Sequence, residues 1–226
     1  MIRITELRLA IDHAPEALEA AIVRFLKIAP KDMMSFEVFK RSYDARKNVA
    51  LAFIYTVDVS VKDEAQVLTR FAGSVHVRPS PDTRYHFIAK APQTMEQRPV
   101  VIGFGPCGIF AALLLAQMGF KPIVLERGKA VRERTQDTWG LWRKNTLNPE
   151  SNVQFGEGGA GTFSDGKLWS QVKDPKFYGR KVLHEFVKAG APEEILYVAK
   201  PHIGTFRLVG VVEKMRQEII ALGGEI

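Results

Sequence analysis

The stretch Val100-Val101-Ile102-Gly103-Phe104-Gly105-Pro106-Cys107-Gly108 decides the fold, together with the residues that run on from it to Glu126. Val100 to Ile102 reads as a short, buried parallel strand. Ile109 to Met118 is an apolar helix closed by Gly119, and Lys121 to Leu125 is a second strand ending in Glu126. Each glycine of the turn has its own task. Gly103 permits the tight strand-to-helix turn, Gly105 leaves the backbone open to a pyrophosphate, and Gly108 lets the helix lie close to the strand. Ala112 is small for the same packing reason. The helix start directs N–H groups and the positive end of its dipole at phosphates. Glu126, 18 residues after Gly108, stands where a carboxylate accepts ribose hydroxyls. Strand, turn, helix, strand and acid in this order imply a dinucleotide site, without choosing FAD over NAD. Glu126 disfavours a 2′-phosphate, and the adjacent Arg127 softens that objection. Cys107, with no second cysteine, reads as a small packing residue at a helix start.

Downstream, residues 152–168 form a second glycine-rich phrase, with five glycines between Gly156 and Gly166. That density excludes a regular helix or a strand interior. The interspersed Phe155, Phe163 and Leu168 distinguish it from a flexible linker. It reads as a loop pinned into a core, presenting bare N–H groups to something flat or anionic.

Upstream lies a compact α+β unit. Ile2 to Ile11 is a strand with an irregularity near Glu6, and Leu18, Ala21, Ile22, Phe25 and Leu26 recur at helical spacing after Pro15. Met34 to Tyr43 alternates at Phe36, Val38 and Lys40, and Ala45-Arg46-Lys47-Asn48 is a polar break. Val49 to Val61 is the strongest strand signal, with Phe53, Tyr55, Val57, Val59 and Val61 on one face. A short helix from Asp63 to Phe71, closed by Gly73, and a strand at Val75-His76-Val77 complete a βαββαβ order, that of a ferredoxin-like sandwich. Prolines punctuate residues 79–99, which predicts a linker over 81–98 with a short strand at Tyr85 to Ala89. Phe206 to Leu222 is an amphipathic helix, and Glu225-Ile226 begins another strand.

Of the 226 residues, 46% are apolar and 25% charged, the balance of a globular chain. The longest apolar stretch, Ile109 to Met118, has about half the length that spans a bilayer. The N-terminus lacks a signal-peptide layout, and a single cysteine permits no internal disulfide. These features predict a soluble, cytoplasmic chain with no membrane span. The net charge of +7 divides evenly, with 15 Lys and Arg against 12 Asp and Glu up to Arg98 and 17 against 13 beyond it. Without a basic run, nucleic acid is not an expected partner. RNA binding would need Phe53 and Tyr55 on an open sheet face. The five histidines share no metal-ligand spacing with one another or with Cys107, and Ser164-Asp165 lacks a nucleophile elbow. His202, between Pro201 and Ile203-Gly204, is the histidine whose loop is expected near a site.

The Gly103–Glu126 turn and the phrase Gly156-Glu157-Gly158-Gly159-Ala160-Gly161-Thr162-Phe163-Ser164-Asp165-Gly166-Lys167-Leu168 together resemble a bacterial family of uncharacterised FAD-dependent dehydrogenases. That family lies within the wider glutathione-reductase-like flavoprotein superfamily. Arg41-Ser42-Tyr43-Asp44-Ala45-Arg46-Lys47 is similar to its N-terminal domain. The resemblance implies an α/β fold: an incomplete Rossmann-type FAD-binding βαβ unit over 99–226, preceded by the small α+β ferredoxin-like domain over 1–80. It implies an FAD-dependent oxidoreductase acting on an unknown small-molecule substrate and electron acceptor. The first turn would hold the FAD pyrophosphate, Glu126 the adenosine ribose, and Arg134 would lie near the phosphates. The second loop would run beside the flavin. The candidate cofactor-binding set is Gly103, Gly105, Pro106, Cys107, Gly108, Glu126, Arg127, Arg134, Gly158, Gly159, Ala160, Gly161, Thr162, Ser164 and Lys167. Members of the family continue well past the position of Ile226, so the sequence reads as an N-terminal portion. NAD at the same turn and a non-enzymatic nucleotide- or RNA-binding module are the alternatives.

Overall fold

The computed structural model describes residues 1–47 and 49–226. The chain is mixed α/β and divides into two units, one of residues 1–83 with 196–199 and one of 84–195 with 200–226.

In the first unit, β1 (Ile2–Ala10), α1 (Ala17–Leu26), β2 (Met33–Asp44), β3 (Ala52–Val61), α2 (Glu64–Arg70) and β4 (Val77–Pro79) have the βαββαβ order read from the sequence. The four strands form one antiparallel sheet in the order β2-β3-β1-β4. Glu6 is the irregularity in β1. It takes φ 61°, and the β1–β3 register shifts between Ile4 and Leu7, as at a bulge. Alternation along β3 puts Tyr55, Val57, Val59 and Val61 into one core with Ile2, Ile4, Leu18, Ile22 and Leu26. The Asp63 carboxylate caps α2 by accepting the Gln66 N–H at 2.9 Å.

Two expectations change here. The last strand starts at Val77 rather than Val75, whose side chain is exposed. Tyr85 to Ala89 forms no strand, and the prolines nearby explain why backbone donors for a ladder are scarce. Of the polar break, Asn48 lies outside the described residues. Tyr55 is buried in the core and Phe53 packs against it, so among the described residues these two rings form no open face.

The phrase Arg41 to Lys47 has a structural task. Buried Asp44 accepts hydrogen bonds from Arg8 and, through both oxygens, from Arg46 at 2.8 Å each. The Arg46 guanidinium first, and then Arg8, hold the Asp44 carboxyl far below its ordinary value of 3.8. Arg41 donates its backbone N–H to the Tyr197 carbonyl at 2.6 Å and accepts from Ala199 at 2.9 Å.

In the second unit, β5 (Val100–Ile102) and β6 (Ile123–Leu125) pair in parallel, and Glu225 makes a further parallel bridge to Ile123. α3 (Pro106–Gln117) connects β5 to β6, and α4 (Val131–Lys144), α5 (Tyr178–Lys188) and α6 (Thr205–Ala221) complete the unit. Its core gathers Ile109, Ala112, Leu113 and Ala116 of α3 with Leu208, Val211, Met215 and Ile219 of α6. The second strand starts at Ile123, two residues later than expected, because Lys121 takes φ 49°. β5 is not buried as a parallel strand usually is. Val100 is 55% and Ile102 85% exposed, because only the α3 side of this two-strand sheet is covered. Among the described residues, no helix is long and apolar enough to cross a membrane.

A carboxyl with a depressed folded pKa stabilises above its unfolded pKa and loses that contribution as pH falls toward the folded one. The first unit is therefore expected to lose stability below about pH 4, and Asp44→Asn to flatten that slope. Urea midpoints measured from about pH 5 to about pH 2 in both proteins check this.

Candidate functional site

The first glycine turn has the backbone its sequence requires. Gly103 takes φ +91° and donates its N–H to the Leu125 carbonyl at 2.7 Å, which ties the turn to β6. A Cβ on Gly108 would stand 1.9 Å from the Gly103 carbonyl oxygen, so only glycine lets α3 start this close to the turn. Gly105 is different. Its φ of −76° suits any residue, and a Cβ there would meet only the Gly159 Cα at 3.8 Å. The fold itself makes no demand for glycine at 105. Pro106 occupies the first helical position, and no side chain caps the helix. Phe104 points into the core, and Cys107, expected to pack, is exposed.

Glu126 faces the turn from the end of β6. Its carboxylate accepts the Phe104 N–H at 2.6 Å and the Gly128 N–H at 2.9 Å. The acid expected to meet a ribose thus also braces the turn, because a carboxylate offers about four lone-pair sites and two are used here. Arg127 leans outward into an ion pair with Glu150, with its guanidinium 4.4 Å from the Phe155 ring.

The second glycine segment lies directly on the first. Gly158 donates its N–H to the Phe104 carbonyl at 2.9 Å, and a Cβ on Gly159 would come within 3.2 Å of the Gly105 Cα and 3.0 Å of Pro106. Gly158 (φ +87°) and Gly159 (φ +63°) both use left-handed backbone. Next comes a 3-10 turn, Ala160–Phe163, which Ser164 closes by donating its hydroxyl to the Gly161 carbonyl at 2.7 Å. Lys167 bridges to His202 through the backbone, while Leu168 and Ile203 donate hydrogen bonds to Pro201 and Gly166. His202 therefore flanks the loop by its main chain, and its side chain is exposed. The Lys167 ammonium lies 3.4 Å from Asp165 at the surface.

Arg134, placed near phosphates by resemblance, is fully buried and makes four hydrogen bonds to loop carbonyls. These are Asn152 (2.8 Å), Val153 (2.6 Å), Glu157 (2.8 Å) and Gly159 (2.8 Å). Burial lowers its pKa, with the charges of Glu126 and Glu157 opposing that shift. Glu157, nearly as hidden, accepts the Val131 N–H at 2.6 Å and Arg216 at 2.8 Å. Burial pushes the Glu157 carboxyl above its ordinary value, against these two donors.

Between α3 and the second loop opens a cavity of about 250 Å³. Pro106, Gly158, Gly161, Thr162, Ser164 and Lys167, all candidates from the sequence, line one side. Phe110, Phe186, Leu208, Val212 and Met215 form an apolar wall opposite, which sequence reasoning does not assign to the site. The amphipathic spacing of Leu208, Val212 and Met215 on α6 is the available signal, and the same spacing describes an ordinary core helix. Thr162 lines the cavity, and its hydroxyl oxygen is buried without a hydrogen-bond partner among the described residues. A larger hollow of about 520 Å³ beside α5 and α6 is rimmed by Lys188, Lys214, Glu185 and Glu218. Its mixture of opposite charges selects no one ligand. Among the described residues, no group of three or more His, Cys, Asp or Glu is placed to hold a metal ion.

Two comparisons bear on these units. Residues 1–60 match the model of a family described as a domain of unknown function (DUF8436). Over 225 residues the chain is 44% identical to an uncharacterised protein of Clostridium beijerinckii (strain ATCC 51743 / NCIMB 8052). All of the chain is covered in that match, and it spans 42% of the relative's length. Neither description names an activity or a ligand.

The contrast between two glycines is testable. Gly108→Ala is expected to cost more than about 2 kcal/mol, because the new methyl meets backbone that cannot give way. Gly105→Ala should leave stability within about 1 kcal/mol, its small cap cost offset by reduced freedom of the unfolded chain. Chemical denaturation of both variants reads the difference.

Proposed function

We propose that the chain binds FAD across its two glycine segments and forms the cofactor-binding part of an FAD-dependent oxidoreductase. The observation that carries this reading is the meeting of Gly105 with Gly159 beside a cavity lined by both segments. No steric contact of the fold demands glycine at 105, and the open space there admits a closely approaching ligand.

The residues fit such a group in three respects. The uncapped start of α3 offers N–H groups and a positive dipole end to a pyrophosphate. Glu126 retains acceptor capacity toward ribose hydroxyls while bracing the turn. The cavity combines an apolar wall with Ser164 and Lys167 of the second loop, which suits a flat ring bearing hydrogen-bonding edges. At about 250 Å³ it is somewhat smaller than the roughly 300–1,000 Å³ of pockets that enclose whole ligands, so it would receive only part of a dinucleotide.

When bound, FAD supplies hydride-transfer chemistry, and the protein's share is to bind, orient and exclude water. Gly105 and Pro106 would admit the phosphates, and Glu126 would hold the ribose. Phe110, Phe186 and Leu208 would keep water from one ring face. The substrate region is not assigned to this chain.

The test is a titration of the protein with FAD, read by quenching of flavin fluorescence. Saturable binding is expected, with NAD failing to displace FAD at equal concentration. Gly105→Ala should weaken FAD binding at least about tenfold, equivalent to about 1.4 kcal/mol, without loss of fold. Equal affinity of native protein and variant, or no binding by either, overturns the reading.

A further inference from the structure

We propose that Arg134 is a positioning residue, which sets the second glycine loop against the first turn and aims its N–H groups outward, without meeting the phosphates itself. The proposal rests on the FAD reading above for the identity of the ligand, but its geometry belongs to the protein alone.

The four carbonyls that Arg134 engages come from two limbs of the loop, 152–153 and 157–159. A planar fork with donors on three nitrogens reaches both limbs at once, which a single ammonium cannot do. Gly156 shows how closely the loop wraps this side chain. Its φ is +120°, and a Cβ there would stand 2.5 Å from the Arg134 Cδ. Phe163 covers the guanidinium, 4.8 Å from its carbon to the ring centre.

Peptide planarity carries the consequence outward. In a trans peptide the carbonyl and the following N–H point in opposite directions, and the described peptides include no cis bonds. Drawing the Glu157 carbonyl inward turns the Gly158 N–H away from Arg134, toward the Phe104 carbonyl that it meets at 2.9 Å. Drawing the Gly159 carbonyl inward turns the Ala160 N–H outward in the same manner. The first of these peptides thus fixes the loop to the first turn, and the second transmits the position of one buried side chain to the N–H of exposed Ala160, on the surface a ligand would touch. A segment with five glycines in eleven residues has little stiffness of its own, so the ordering comes from this internal cation.

Arg134→Lys separates positioning from charge. It keeps the positive charge but loses the fork. Amide hydrogen exchange of residues 153–162, measured without FAD and referenced to the α3 and α6 amides as a check on the fold, is expected to become at least about tenfold faster. FAD affinity should fall at least about tenfold. At saturating FAD, the phosphorus NMR resonances of the bound pyrophosphate should differ from those of the native complex, a change that lost stability alone would not produce. Gly156→Ala, which displaces the Arg134 stem with the arginine still present, should give the same pattern. Unchanged loop exchange in Arg134→Lys overturns the clamp. Faster exchange with native FAD affinity and native phosphorus shifts overturns its role toward the ligand. If native protein binds no FAD, the cofactor reading fails while the exchange data still decide the clamp.

Discussion

The second unit depends on one close backbone approach: the Gly158 N–H meeting the Phe104 carbonyl at 2.9 Å while Gly159 rests on Gly105 and Pro106. A Cβ on Gly159 would crowd this contact, whereas one on Gly105 would only touch it. The contact places a 3-10 turn beside the start of α3, and that placement creates the cavity. A Cβ on Gly158 would strike the Thr162 hydroxyl at 2.1 Å. Glycine here acts by letting two main chains share a space that ordinary residues would fill.

Such a contact is costly to order, since glycine loses more freedom on folding than any other residue. Two buried charges offset that cost from beneath. Arg134 collects carbonyls from both limbs, and Glu157 ties the loop to the start of α4 and to Arg216. A buried guanidinium is tolerable because four carbonyl dipoles and an aromatic face replace its water. The carboxylate of Glu157 is less complete, with one oxygen lacking a partner among the described residues.

The first unit handles charge differently. Asp44 sits between two arginines at the end of β2, and Arg3 pairs in bidentate fashion with Asp58 from the neighbouring strand β3. These pairs fasten strands to one another. The alternate apolar residues of β3 pack with α1 and build the core. Within the phrase Arg41 to Lys47, conspicuous for its charge, Asp44 and Arg46 thus serve the sheet.

What the amino-acid order determined by itself was local. The bulge at Glu6, the helix from Ala17, the Asp63 cap, the turn at Gly103 and the burial pattern of α6 all arise from spacing, cap chemistry and φ preferences within a few residues. Boundaries were less legible where a neighbour decided them. β4 begins at Val77 because its partner Ile4 lies opposite, and β5 stays half-exposed because only one face of its sheet is covered. Only the tertiary structure decided that Arg134 faces inward, that Glu126 braces the turn, and that Phe186 and Leu208 wall the cavity. The reason is distance along the chain. A guanidinium takes whichever acceptors folding brings to it, and those acceptors lie on a loop whose path no local propensity specifies.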